Sequence, residues 1–194
     1  MKISLGAKTL AVPTPVWVIG SYDGKGRPNV MTAAWAGICC SRPPCVGVSL
    51  RQATYTYGNI VGQKAFTVSI PGRAQAAAAD FFGMVSGRDV DKFAATGLTA
   101  LKSDLVDAPY VKEFPLVIEC EAIREVEIGL HTYFIGQIHD VKAEEDVLAE
   151  DGAMDASKVD PIIFSPEVRR YYGLGPFIGQ AFSLGRTFMA PSQG

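Results

Sequence analysis

The 194-residue chain sets 18 Lys and Arg against 20 Asp and Glu, a formal net charge of -2, and 48% of its residues are hydrophobic. That composition supports an ordinary packed core and excludes a disordered chain. With no basic stripe and no run of like charge, nucleic-acid partners are not expected, and any bound anion must be met by a local cluster of donors.

Residues 1–11 are mixed in character and lack the apolar core of a secretory signal. No later stretch approaches the length of a membrane span. The four cysteines, Cys39, Cys40, Cys45 and Cys120, are therefore expected to be reduced thiols in a cytoplasmic protein. They contain no C-x-x-C, and no H-E-x-x-H occurs, so no metal site is expected.

The run Pro15–Tyr22 is apolar, aromatic and β-branched and stops at Asp23-Gly24-Lys25-Gly26, which predicts a strand and a hairpin turn. Its partner strand is predicted over Asn29–Trp35. After the break at Arg42-Pro43-Pro44 come a strand at Cys45–Leu50, a short helix over Thr54–Gly62 with Thr54 as N-cap, and a strand at Ala65–Ile70. The alanine-rich stretch Arg73–Phe82 and the stretch Arg88–Ala95 predict two further short helices separated by a loop at Gly83–Gly87. Period two dominates Ile118–Ile128, a half-buried strand; Gly129 then turns the chain into His131–Val141, whose two apolar faces predict a central or interfacial strand. Short strands, hairpins and short helices favour an antiparallel barrel, and no G-x-G-x-x-G follows a strand.

Three segments and one histidine carry candidate chemistry. In Asn29–Gly37 the small residues Ala33, Ala34, Ala36 and Gly37 flank Trp35, with Asn29 and Thr32 as polar handles. Small side chains let a flat ligand reach the backbone, although a tight packing layer accounts for the same alanines. In Ser49–Thr56 a strand ends at Arg51 and a helix opens with Thr54 and Thr56. Free N–H groups and a guanidinium there suit an anion; plain capping beside a solvated arginine is the alternative. Within Ser86–Phe93, Arg88 and Lys92 are four apart and predicted to share one helical face, where Asp89 and Asp91 would neutralise them in a simple salt-bridged surface. His131, third in the Gly129-Leu130-His131 turn, is placed to donate to a ring or move a proton.

The order and spacing of PTPVWVIGSYDGKGRPNVMTAAWAGICCSRPPCVGVSL, RQATYTYGNI, SGRDVDKFAATGL, APYVKEFPLVIEC, GLHTYFIGQI and YYGLGPFIGQAFSLGR resemble the flavin reductase-like family across nearly the whole chain. The resemblance implies one domain over residues 1–194, mainly β with short helices: an antiparallel, Greek-key split β-barrel that binds FMN. It implies Asn29, Met31, Thr32 and Trp35 on the ring and ribityl side, and Ser49, Leu50, Arg51, Thr54, Tyr55 and Thr56 on the phosphate side. Arg88 and Lys92 would add anion contacts, with Phe93 packed nearby, His131 facing the flavin or nicotinamide, and Cys40 near the ring.

The function implied is transfer of electrons between redox partner proteins by a homodimeric FMN protein. An NAD(P)H-dependent flavin reductase and a non-redox ligand-binding barrel are the alternatives. A disrupted phosphate corner would mark the last, and Arg51, Thr54 and Thr56 argue against it.

Overall fold

Strands form where β-branched and aromatic residues cluster, and turns where Gly, Pro and Asp interrupt them. A computed structural model of the chain describes residues 1–189; residues 190–194 of the expected 1–194 domain lie outside the described residues. The elements run β1 (Thr14–Pro15), β2 (Trp17–Tyr22), β3 (Pro28–Ala33), β4 (Ala36–Ser41), β5 (Pro44–Arg51), α1 (Tyr55–Gln63), β6 (Ala65–Ile70), α2 (Ala76–Met84) and α3 (Lys92–Thr96). They continue with β7 (Ala100–Lys102), β8 (Pro109–Val111), β9 (Leu116–Ile128), β10 (His131–Ala143), α4 (Ala156–Val159), β11 (Ile163–Ser165) and β12 (Arg170–Tyr172).

Seven strands form one sheet in the order β3-β2-β6-β9-β10-β5-β4, and every pairing is antiparallel. Its two edge strands, β3 and β4, are separated in sequence only by Ala34 and Trp35. Two or three residues span at most roughly 10 Å, so the sheet must curl until its edges nearly meet. That is the split of a split barrel. Trp35 sits on the seam, and its carbonyl accepts a hydrogen bond from Ser49 N at 2.8 Å.

The barrel interior is filled by Ile19, Val46, Val48, Leu50, Phe66, Val68 and Phe134. A second apolar cluster joins Val18 and Val30 to Phe82, Phe93 and Phe114 on the other side of β2 and β3. Each such side chain contributes about 1.5–3 kcal/mol by leaving water. Gly20 on β2 is required by this double burial: a Cβ there would lie 1.9 Å from the Pro109 carbonyl oxygen.

β10 lies between β9 and β5, the first of the two positions, central or interfacial, that its apolar faces predict. Thr132 on this strand is 1% exposed, and its hydroxyl has no hydrogen-bond partner. An unpaired buried hydroxyl is costly, and Val has the same shape without it. Thr132→Val is expected to raise unfolding stability by about 1 kcal/mol, read from chemical denaturation midpoints; an unchanged or lower midpoint would show that the hydroxyl is solvated.

Two sequence expectations need correction. The strand predicted over Asn29–Trp35 ends at Ala33, and Ala36–Ser41 forms an additional strand, β4. Helix α3 begins at Lys92, not Arg88, because the Asp91 side chain accepts the Ala94 N–H at 3.0 Å and caps it there. Arg88 instead lies in a turn where Asp89 and Val90 N–H both reach the Ser86 carbonyl.

Candidate functional site

The seam of the barrel, the start of α1 and the loop after α2 enclose a cleft. Its larger chamber, about 270 Å³, is lined by β3 (Asn29, Met31, Thr32), by Ala53–Thr56, and by Phe82–Arg88 with Lys92. A smaller chamber of about 160 Å³ shares Met31, Thr32 and Thr54 with it and continues to Ala34, Trp35, Ser49, Arg51 and His131. A third hollow of about 220 Å³ extends outward past Asn29, Tyr55, Gly87 and Arg88 to Asp23 and Arg27.

The N-terminus of α1 faces this space because Thr54 turns the chain. Its hydroxyl accepts the Tyr57 N–H at 3.3 Å and donates to the Arg51 carbonyl at 2.9 Å. The first-turn N–H groups of Tyr55 and Thr56 have no acceptor within the helix, as at any helix start, and leave partial positive charge there. Arg51 and His131 are cross-strand partners on β5 and β10, so a guanidinium and an imidazole line one chamber.

The opposite wall is fixed by hydrogen bonds. Asn29, 4% exposed, donates from Nδ2 to the Thr56 hydroxyl at 2.9 Å, while its Oδ1 is buried with no partner. That Oδ1 lies against Gly87, where a Cβ would come within 1.9 Å of it. The Thr32 hydroxyl donates to the Ala79 carbonyl and pins α2 to β3. Lys92 is also 4% exposed: its ammonium donates to the carbonyls of Val30 at 2.8 Å and Phe82 at 2.7 Å, and burial pushes it down to about 8. Arg88 donates to the Ala53 carbonyl at 2.9 Å, and its guanidinium lies 5.3 Å above the Tyr55 ring.

Beneath Tyr55 sits Asp23, unnoticed in the sequence except as a turn residue. It accepts from the Tyr55 hydroxyl at 2.7 Å, from Arg27 Nε at 2.7 Å, and from the Lys25 and Arg27 N–H groups. These donors, Tyr55 first, hold its carboxyl well below the usual carboxylate range despite burial. The D-G-K-G-R run signals the local Asx turn; nothing local signals the reach to Tyr55.

Most of the sequence-predicted site residues therefore come together, and four are placed otherwise than expected. Lys92 is turned inward and does not share an exposed face with Arg88. Leu50 is fully buried in the barrel core and does not line the cleft. Phe93 packs on Phe82, ring centroids 6.4 Å apart, and supports the wall from behind. Cys40 lies at the far end of the β4–β5 hairpin, opposite Cys45; Arg51 is six residues further along β5, about 20 Å away at strand rise. Cys40 does not border the cleft. Met84, Val85 and Ser86 do, and the sequence assigned only Ser86 to a candidate segment.

Fold and cleft together define a split-barrel protein whose seam offers a cationic, N–H-rich corner beside small side chains. The flavin reductase like domain family model matches residues 9–170, and the chain belongs to that family. The flavoredoxin of Desulfovibrio vulgaris (Miyazaki F) is 56% identical and superposes with a TM-score of 0.92 over 95% of this chain and 100% of that one. A flavoredoxin from Methanosarcina acetivorans is 29% identical, with a TM-score of 0.91 over 97% of this chain and 100% of that one. Among curated relatives, an uncharacterised Archaeoglobus fulgidus protein is 34% identical over 116 residues, 60% of this chain and 66% of that protein. An Aeropyrum pernix protein is 25% identical over 170 residues, 87% of this chain and 64% of that protein.

Proposed function

We propose that the chain binds FMN in the seam cleft and passes electrons between redox partner proteins. The observation that carries this reading is the cleft's make-up: Arg51 and the open N–H groups of α1, with the small residues Ala33 and Ala34 and the Trp35 junction beside them. A phosphate is suited to the first, a flat ring to the second. The orphaned Asn29 Oδ1 and the Gly87 cradle fit a ligand that brings its own donors. The 56% identical protein is itself named a flavoredoxin, which favours a carrier.

In this reading Arg51, Thr54 and the first N–H groups of α1 hold the phosphate, with Arg88 and Ser86 across from them. Asn29, Met31, Thr32 and Trp35 position the ribityl chain and ring, and His131 provides a hydrogen-bonding group toward it. Bound FMN supplies the reversible electron transfer, while these residues set its orientation and limit water. Asp23 acts through Tyr55, whose ring steadies Arg88.

A second copy of the chain is part of the proposal. Phe177, Ile178, Phe182 and Phe188 are 84–98% exposed, as are large parts of Ile128 and Leu130 at the β9–β10 turn, and such apolar surface needs cover. Among the described residues no helix is long and apolar enough to cross a membrane, and we place the protein in the cytoplasm.

Sedimentation recorded at a flavin wavelength tests these points together. The expected result is one yellow species with the mass of two chains, bleached slowly or not at all by added NADH or NADPH. A colourless protein that ignores added FMN would remove the reading. Rapid bleaching would reassign the protein to nicotinamide-driven flavin reduction.

A further inference from the structure

Three of the four cysteines lie on the β4–β5 hairpin, away from the cleft. Its turn is only Arg42-Pro43, closed by the Ser41/Pro44 pair, and the next pair is Cys40 opposite Cys45. Directly opposed residues of antiparallel strands have Cα atoms about 4.5–5.5 Å apart, inside the range of about 4.4–6.8 Å that a disulfide spans. We propose that Cys40 and Cys45 are a reversible redox pair, closed into a cross-strand disulfide by exchange with a low-molecular-weight disulfide.

The surroundings divide the labour between the two thiols. Cys40 is exposed, its Sγ only weakly engaged with the Arg42 carbonyl at 3.4 Å, and Cys45 is 3% exposed. Cys39 is exposed as well, but of the facing pair a small disulfide in solution meets Cys40 before Cys45. Burial, with Cys39 and Cys40 as neighbours, pushes the Cys45 thiol up, which suits a resolving rather than an attacking role. Cys120 is sealed in the barrel core, and its thiol is raised further by burial. Cys39 is the extra residue where the β4–β5 register shifts and has no partner across the ladder.

In the first step Cys40 gives its proton to solvent, and the thiolate attacks one sulfur of the small disulfide. That S–S bond breaks and one small thiolate leaves. Cys45 then loses its proton and attacks the Cys40 sulfur of the mixed disulfide, expelling the second small thiolate. Two protein thiols are oxidised by two electrons, one small disulfide is reduced to two thiols, and the two protons end on them.

The position also favours reversal. Among the described residues β4 is an edge strand paired in the sheet with β5 alone, so the hairpin can adjust without breaking a second ladder. The turn already closes the short loop between the cysteines, so a bridge removes little chain entropy and adds little stability. Low added stability makes a disulfide easy to reduce.

The test treats the folded protein with excess oxidised glutathione, quenches, alkylates in denaturant and weighs the intact chain. Wild type is expected to close the Cys40–Cys45 bridge, losing the mass of two hydrogens apart from any glutathione carried by the exposed Cys39, all of it restored by dithiothreitol. In Cys39→Ser the closure should appear alone, with two of the three remaining cysteines protected and no glutathione added; Cys40→Ser should abolish it, and Cys39→Ser/Cys45→Ala should stop with one glutathione attached. Because Cys40 is exposed, its variant keeps the test decisive if Cys45→Ala does not fold. A Cys39→Ser chain that stops at the mixed disulfide, closure that needs Cys39, or a bridge between two chains would each overturn the proposal.

Discussion

Replacing Lys92 by Met is expected to loosen the cleft and to remove one component of how stability depends on pH. The ammonium ties the Val30 carbonyl on β3 to the Phe82 carbonyl on α2, joining the two walls of the larger chamber. Met fills similar volume but donates nothing, so both buried carbonyls lose a partner, at about 1–3 kcal/mol each. Relief from burying a cation offsets part of that loss, leaving a net destabilisation of about 1–3 kcal/mol near neutral pH.

The pH dependence separates this role from simple packing. Lys92 titrates near 8 when folded, against an ordinary value of 10.5. Between those values the unfolded chain binds more protons than the folded one, so wild-type stability rises with pH across that window and levels off above it. Lys92→Met lacks this rise, and the gap between the two proteins should widen from pH 8 to 10.5 in denaturation midpoints. A constant gap would mean that Lys92 is not held as a buried cation. An anion placed nearby would raise the same group, so FMN affinity should fall through this window in wild type only.

The features legible in the sequence are those set by neighbours in the chain. Thr54 caps α1 because its hydroxyl reaches no further than Arg51 and Tyr57, three residues to either side, and the Asp23 turn follows from backbone N–H groups within four residues. β10 was readable as central because both its faces are apolar. Lys92 was misread because its acceptors come from β3 and α2, and no local pattern distinguishes a buried lysine of this kind from one on a solvated face. β4 was missed for a different reason: as a bulged edge strand with Ile38, Cys39 and Cys40 all exposed, it lacks the alternation that burial of one face imposes. The two kinds of wall were visible as residue types, Arg51 with Thr54 and the alanines with Trp35. Their convergence required the curled sheet, which brings residues 31–35 alongside 49–54 and 131.

Arg51→Ala is expected to weaken FMN by about 1.5–3 kcal/mol, roughly ten- to a hundredfold, as the loss of one charge-assisted hydrogen bond to a phosphate. The size depends on what remains: the open N–H groups of α1 stay in place, so binding should survive. Arg51→Lys separates charge from shape. It keeps the cation, and with it the long-range attraction, but loses the planar fork, and should fall between wild type and Arg51→Ala. Salt gives an independent reading, because Arg51 is exposed and its contribution is screened. Raising ionic strength should weaken wild-type binding more than that of Arg51→Ala. Arg88→Ala tests the other wall. Its guanidinium is already committed to the Ala53 carbonyl and the Tyr55 face, so its removal should cost less affinity than removal of Arg51. Fluorescence titration of FMN against the variants measures all of this. Equal affinity for wild type and Arg51→Ala would place the phosphate elsewhere, and an Arg88→Ala loss larger than that of Arg51→Ala would move it toward the outer hollow lined by Arg27 and Tyr55.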